Sequence, residues 1–376
     1  MNFSAIEEEM DAAVGRGVFP GAVLLVRDAG RVVFLRAFGA RSLVPERTPM
    51  HEGTIFDLSS LTKPLATSVA MMVLVRDGRL RLDDRVTRFF HNFGVHAKTH
   101  VTFRHLLSHC SGLPAWRPFF KDILDIERRG GRINFLATQG AKEYVYNEIQ
   151  RLRLEAPPGE RAVYSDIGFM LLGAAVEEIA GVNLDRFCQE KIFRPLGLRA
   201  TAFVDLTLLR ARRIEPITEM IAPTERCPWR KRVICGEVHD DNAYAMGGIA
   251  GHAGLFAAAR DVDTLLVRLK QCYDGQDTFL PQTIVREFWT RDAAVSNSPW
   301  ALGWDGPAAV NSAAGSHFSP RTVGHLGFTG TSFWLDLERN RHVILLSNRV
   351  HLSRDNDAIK QFRPRIHDLI NETLGI

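Results

Sequence analysis

Residues 3–17 carry apolar positions at helical spacing in a polar background, which predicts a short amphipathic helix closed by Gly17. Two runs rich in Val, Leu and Phe follow, Gly21 to Arg27 and Arg31 to Phe38. Between them lies Asp28-Ala29-Gly30, so they are expected to form a hairpin. Arg41 to Gly53 reads as loop, and Thr54 to Ser59 as a short extended segment. Ser60 to Arg76 is apolar on nearly every face, the pattern of a buried helix, with Gly78 as its cap.

From about 80 to 240 the pattern is one of helices and long loops. Tyr164 is expected to open a helix that ends at Ala180 before Gly181. Residues 207–240 show no period and read as an excursion loop. Ala257 to Cys272 returns to helical spacing. Thr331 to Leu337 and His342 to Asn348 should pair across Glu338-Arg339-Asn340-Arg341, and a last helix should cover 355–374. Strands at both chain ends with helices between predict an α+β fold. One antiparallel sheet flanked by helices is built from 1–60 and 245–376, and a mainly helical lobe, 61–244, is inserted into it.

Composition excludes several classes. Among the 376 residues, 45% are hydrophobic and 24% charged, which is ordinary for a globular chain able to bury a large core. The net charge of +4 is spread along the sequence. Its tightest run, Arg230-Lys231-Arg232, reads as a solvated face and not as a nucleic-acid surface. Pro64 to Val75, the most apolar stretch, is too short to span a bilayer, so no membrane partner is expected. The five cysteines are odd in number and form no Cys-x-x-Cys, which points to free thiols and a reducing compartment. The N-terminus lacks a basic start and an apolar run, so a cytoplasmic location is expected. Oligomeric state is not legible. No metal spacing occurs, no cofactor is expected, and His109, His239 and His252 read as polar histidines with ordinary partners.

The chemistry concentrates in three places. Ser60-Leu61-Thr62-Lys63 is the one Ser-x-x-Lys, with both side chains on one face of a helix start. Serine needs a base, and a lysine serves only if its surroundings lower its pKa. Tyr164-Ser165-Asp166 follows Pro157-Pro158-Gly159-Glu160. Tyr164 can share a proton with Lys63 or protonate a leaving group, and Asp166 can hold Lys63 or orient a substrate amide. Gly324-His325-Leu326-Gly327-Phe328-Thr329-Gly330 leads into a strand, where glycines permit close approach of a substrate. His325 there can bind a carboxylate or tune Tyr164. Gly251-His252-Ala253-Gly254 competes with it, but the Ala257–Cys272 period places it before a helix. No Gly-x-Ser-x-Gly occurs, so an α/β-hydrolase elbow is unsupported.

In this order the three motifs resemble those of the penicillin-binding protein and class C β-lactamase superfamily. Leu106 to Pro114, Tyr164 to Phe169 and Phe193 to Leu198 extend the resemblance, which runs from about residue 10 to the C-terminus. It implies Ser60 as acyl-accepting nucleophile and Lys63 and Tyr164 as its proton-handling partners. The backbone N–H groups of Ser60 and Phe328 would form the oxyanion hole, and Asp166, His325 and Gly327 would face the substrate. Two residues depart from the β-lactamase pattern. Asp166 stands where Asn is usual, and His325 where Lys is usual. Residues 221–225, 236–243 and 247–256 resemble the branch that contains muramyl-peptide amidases. They add His239 and Asp240 as substrate-binding candidates on a polar rim. The resemblance thus implies a serine hydrolase acting on a small-molecule amide or ester, with a muramyl-peptide leading. The alternatives are a β-lactamase, a D-alanyl-D-alanine carboxypeptidase, an esterase, and a penicillin-binding receptor that acylates without turnover.

Overall fold

The structure, a computed structural model, describes residues 2–130, 134–296 and 298–376. Its main sheet has six strands: β1 (Gly21–Asp28), β2 (Arg31–Ser42), β3 (Thr48–Pro49), β7 (Thr322–Leu326), β8 (Ser332–Asp336) and β9 (Arg341–Ser347). They are ordered β3-β2-β1-β9-β8-β7, and every pairing is antiparallel. N-terminal and C-terminal strands meet at β1 and β9, where Leu24 pairs with Leu345. A smaller sheet joins β4 (Ile55–Asp57), β5 (Ala202–Phe203) and β6 (Leu255–Ala258), with β6 in the middle.

Alternation along β1 explains how the sheet is covered. Leu24 and Val26 face α1 (Ser4–Gly15) and α5 (Ile359–Thr373), packing with Ile6, Met10, Phe362 and Ile366. Val23 and Leu25 face the larger core, which includes Leu265 and Leu269 of α4 (Ala259–Asp274). Both faces are therefore buried, and β1 reads as one apolar run, not as an alternation.

The helix after Ser60 is not regular. Ser59–Leu61 is a 3₁₀ turn, Lys63–Ser68 is wound as a π-helix, and only Val69–Arg76 (α2) is α-helical. Single π turns inside helices frequently mark functional sites. The second central helix, α3 (Asp166–Ala180), starts two residues later than the sequence suggests, because Ser165 is its cap and accepts from Gly168 N–H at 3.1 Å. Ala257–Ala258 belongs to β6 and not to a helix, so the Gly251–Gly254 turn precedes a strand after all. His325 lies within β7 and not before a strand. The 207–240 excursion is partly ordered, holding a hairpin of Arg226–Cys227 with Arg232–Val233.

Candidate active site

Residues from both ends of the chain and from its middle converge on one cavity of about 760 Å³. Its wall includes Ser60, Tyr164, Asp166, His239, Asp240 and His325, with Gly327 and Phe328 beside them. Lys63 sits behind Ser60 and is fully buried.

Local folding forces the serine into place. Ser59 has φ +51, a left-handed conformation that bends β4 sharply into the helix start. Asp57 holds the bend by accepting the Ser59 N–H at 2.8 Å, and Thr62 Oγ1 donates to Ser59 O at 2.6 Å. On the opposite side, the Gly327–Thr331 turn is braced against the same segment. Thr329 Oγ1 donates to Asp57 O at 2.7 Å and Thr331 Oγ1 to Leu58 O at 3.0 Å. The turn's Phe328 N–H points at Ser59 Oγ, 3.3 Å away, a long bond that a better acceptor can displace. A side chain cannot replace Gly327: a Cβ there would stand 2.0 Å from Thr331 Oγ1 and 2.7 Å from Leu58 O. Gly327→Ala is therefore expected to push the Phe328 N–H out of line and cut kcat by about 10²–10³, the cost of one lost oxyanion donor. Steady-state kinetics with thermal melting would check this, since a change in Tm with full kcat would show packing alone.

Lys63 Nζ forms an ion pair with Asp166 and donates hydrogen bonds to Ser60 and His252. Nζ lies 2.7 Å from Asp166 Oδ1, 3.0 Å from Ser60 Oγ and 3.1 Å from His252 O. Burial works against a charged Lys63, but the Asp166 carboxylate and the Tyr164 oxygen together outweigh it, and its pKa is held above the ordinary lysine value. This corrects the expectation of a lysine with a lowered pKa: at rest Lys63 is an ammonium. Its Nζ stands 4.9 Å from the centre of the Tyr164 ring. Burial raises the Tyr164 phenol, and the adjacent Lys63 only partly opposes this, so Tyr164 is protonated too.

His325 does not fit the carboxylate-binding role expected of it. Its Nδ1 lies 2.9 Å from Leu326 O, and a carbonyl can only accept, so Nδ1 carries the proton and Nε2 a lone pair. Burial, with Lys63 nearby, pushes its pKa down to about 3. A neutral ring 5.9 Å from that of Tyr164 suits the alternative role of tuning the tyrosine. His109 takes the Ser165 N–H on Nδ1 at 3.0 Å and packs against Tyr164 with ring centres 4.8 Å apart and planes tilted by 36°, which fixes the Tyr164–Asp166 segment.

The polar rim is built by the excursion. The His239 N–H donates to Asp57 Oδ2 at 2.6 Å, and its ring lies 5.6 Å from that of Phe328. Asp240 Oδ1 accepts from Ala243 N–H at 2.7 Å and lies 3.0 Å from His252 Nε2, which hold it well below the usual carboxylate range despite burial. Arg354 grips Glu225 with two bonds of 2.5 Å and so ties the excursion to the chain after β9. Sequence reasoning missed Trp116, Trp300, Asp305, Arg349 and Arg363, all in the cavity wall. Only Arg363 left a signal, a charge on the apolar stripe of α5 defined by Ile359, Ile366 and Ile370.

The Beta-lactamase family model matches residues 4–364. A protein of Escherichia coli (strain K12) named as a D-alanyl-D-alanine carboxypeptidase is 31% identical over 370 residues, 91% of this chain and 82% of its own. The N-acetylmuramyl-L-alanine amidase of Bacillus subtilis (strain 168) is 32% identical over 365 residues, 91% of this chain and 79% of its own. Among solved structures, the octameric penicillin-binding protein homologue from Pyrococcus abyssi superposes with TM-score 0.73 at 22% identity, covering 100% of this chain and 78% of that one. With a match over nearly its whole length, and with the Ser60–Lys63 pair at the head of a buried helix, the chain belongs to the beta-lactamase family of serine hydrolases.

Proposed function

We propose that the chain hydrolyses the amide of a muramyl-peptide through an acyl-enzyme on Ser60. The observation that carries this reading is the shape of the cavity. At about 760 Å³ it is roomy for a compact lactam ring, and its rim offers Asp240 and the half-exposed Trp116 to a sugar-peptide. The 32% identity to a relative named as an N-acetylmuramyl-L-alanine amidase supports the same substrate. So do the two departures from the β-lactamase pattern: Asp166 has no amide N–H to give a lactam side chain, and His325 is uncharged. Four of the five free cysteines are buried, which suits action in the cytoplasm on soluble wall fragments.

The reaction follows from the resting protonation states. As Oγ attacks the carbonyl carbon, the Ser60 proton moves onto Lys63 while Lys63 hands one of its own to Asp166, so that no free amine has to form beforehand. The oxyanion receives the N–H groups of Ser60 and Phe328. As the carbon–nitrogen bond breaks, Tyr164 protonates the departing nitrogen and becomes a phenolate beside the Lys63 ammonium. In the second half, water gives its proton to that phenolate and attacks the ester. Ser60 recovers a proton from Lys63, which is refilled from Asp166. Charge and protons return to the starting state.

Catalytic efficiency on a muramyl-peptide, a D-Ala-D-Ala peptide and a chromogenic cephalosporin tests the reading. The muramyl-peptide is expected to lead. A tenfold lead for the cephalosporin, about 1.4 kcal/mol of transition-state preference, would establish a β-lactamase instead, and a lead for the D-Ala-D-Ala peptide a carboxypeptidase. A burst without steady turnover would mark a receptor.

A further inference from the structure

One buried carboxylate joins the nucleophile segment to the excursion. Asp57 ends β4, where it pairs with Phe256 of β6. Its Oδ1 accepts the Ser59 N–H at 2.8 Å, and its Oδ2 accepts the His239 N–H at 2.6 Å. Its carbonyl oxygen takes Thr329 Oγ1 at 2.7 Å, from the turn that carries Phe328. A residue needed only to hold the Ser59 bend would use one carboxylate oxygen. The second reaches an element far away in the chain.

His239, at the other end of that bond, also touches the Phe328 side of the oxyanion hole. Its ring lies over that of Phe328, with centres 5.6 Å apart and planes 20° from parallel. Its Nε2 is 3.3 Å from Glu225 Oε2, the carboxylate that Arg354 grips. The next residue, Asp240, lies 3.0 Å from His252 Nε2, and the His252 carbonyl accepts from Lys63 at 3.1 Å. Two adjacent residues of the excursion therefore reach three parts of the acyl-transfer machinery. They reach the Ser60 backbone through Asp57, Phe328 through its ring, and Lys63 through His252. The hole needs such support, because its two N–H groups come from separate chain segments. Ser59, whose bend aims the Ser60 N–H, stands at φ +51, a conformation that persists only where its surroundings fix it.

We propose that Asp57 is a positioning residue for acyl transfer: its carboxylate fixes the Ser60 and Phe328 N–H groups against the excursion, so that the oxyanion hole is aligned only while residues 238–240 are docked. A charged acceptor makes the stronger hydrogen bonds, and both oxygens are used. An amide cannot replace it, since its nitrogen would face one of the two N–H donors. The inference rests on Ser60 as acyl acceptor and Phe328 N–H as oxyanion donor, but not on the muramyl-peptide as substrate.

Asp57→Asn tests this on p-nitrophenyl acetate, an ester with neither sugar nor peptide. With the hole misaligned but its donors present, kcat is expected to fall roughly 10- to 100-fold, somewhat less than for outright loss of a donor, with KM little changed. Phenylboronic acid gives a second readout, because it adds to Ser60 as a tetrahedral transition-state mimic. Its Ki should rise by about the factor that kcat/KM loses. A lower Tm with kcat and Ki kept would make Asp57 a purely structural brace, and a raised KM with kcat kept would make it a rim contact. Either result would overturn the proposal. Should Asp57→Asn not fold, the wild type decides. Coupling is reciprocal, so filling the hole with phenylboronic acid should slow hydrogen exchange of the His239 amide several-fold, although that amide faces Asp57. Protection confined to Ser60 and Phe328 would overturn it as well. A chain that shows these effects on the ester but ignores muramyl-peptides keeps this role for Asp57 and loses the substrate proposed above. The converse result keeps the substrate and removes the coupling.

Discussion

Ser60→Ala is expected to abolish hydrolysis of every good substrate, with kcat/KM falling by roughly 10⁴-fold or more. The size follows from the route. Acyl transfer needs an oxygen at the mouth of the helix, between the proton partner Lys63 at 3.0 Å and the Phe328 N–H. Ser59 is the other hydroxyl nearby, but its side chain faces the Phe328 N–H and not Lys63. The substitution removes one small group and leaves the Lys63–Asp166 pair intact, so the variant should fold with a Tm close to that of the wild type. Rates on a muramyl-peptide, together with intact-mass detection of the acyl adduct, check the result. A variant that keeps more than a few per cent of the rate, or an adduct on another residue, would remove Ser60 from the role.

The outline of the fold was legible because its strongest signals are local. The β1–β2 hairpin follows from Asp28-Ala29-Gly30, whose Ala29 and Gly30 both take positive φ. The α1 and α3 helices follow from apolar spacing and from Gly17 and Gly181 at their ends. Strands β6 and β7 were not legible. β6 reads Leu-Phe-Ala-Ala and runs without a break into the helix that begins at Ala259. It is a strand because β4 and β5 pair with it on both sides, a tertiary choice that propensity does not encode. β7 holds Gly324 and His325 at a sheet edge, where few β-formers are needed.

Within the site, identities were easier to read than states. Ser60, Lys63, Tyr164, Asp166, His325, Gly327 and Phe328 lie around one cavity as their motifs suggest. The charge on Lys63 could not be read from Ser-x-x-Lys, because it depends on a carboxylate from a distant helix start and a carbonyl from the turn before β6. The neutral state of His325 likewise depends on burial.

Lys63 and Tyr164 are expected to act as one unit, so removing both should cost little more than removing the worse one. Lys63→Ala and Tyr164→Phe should each lower kcat/KM by about 10³ or more, and the double variant should match the slower single. The geometry gives the reason. The Lys63 ammonium stands 4.9 Å from the Tyr164 ring and supports the phenolate that forms when Tyr164 gives up its proton. Without Lys63 that phenolate would form beside the Asp166 carboxylate in a buried site, and the proton step fails at the tyrosine as well. Without Tyr164 the amine still relays a proton, but the leaving nitrogen has no donor. Each half is therefore useless alone, and the second loss finds nothing left to remove. The comparison is best made on an amide, whose nitrogen needs protonation. On an ester with a good leaving group Tyr164→Phe should be milder, while Lys63→Ala stays severe. Losses that add in log rate on the amide would make Tyr164 a packing partner of His109 and Trp300, 4.8 and 6.1 Å away, and would leave the leaving-group proton to another residue.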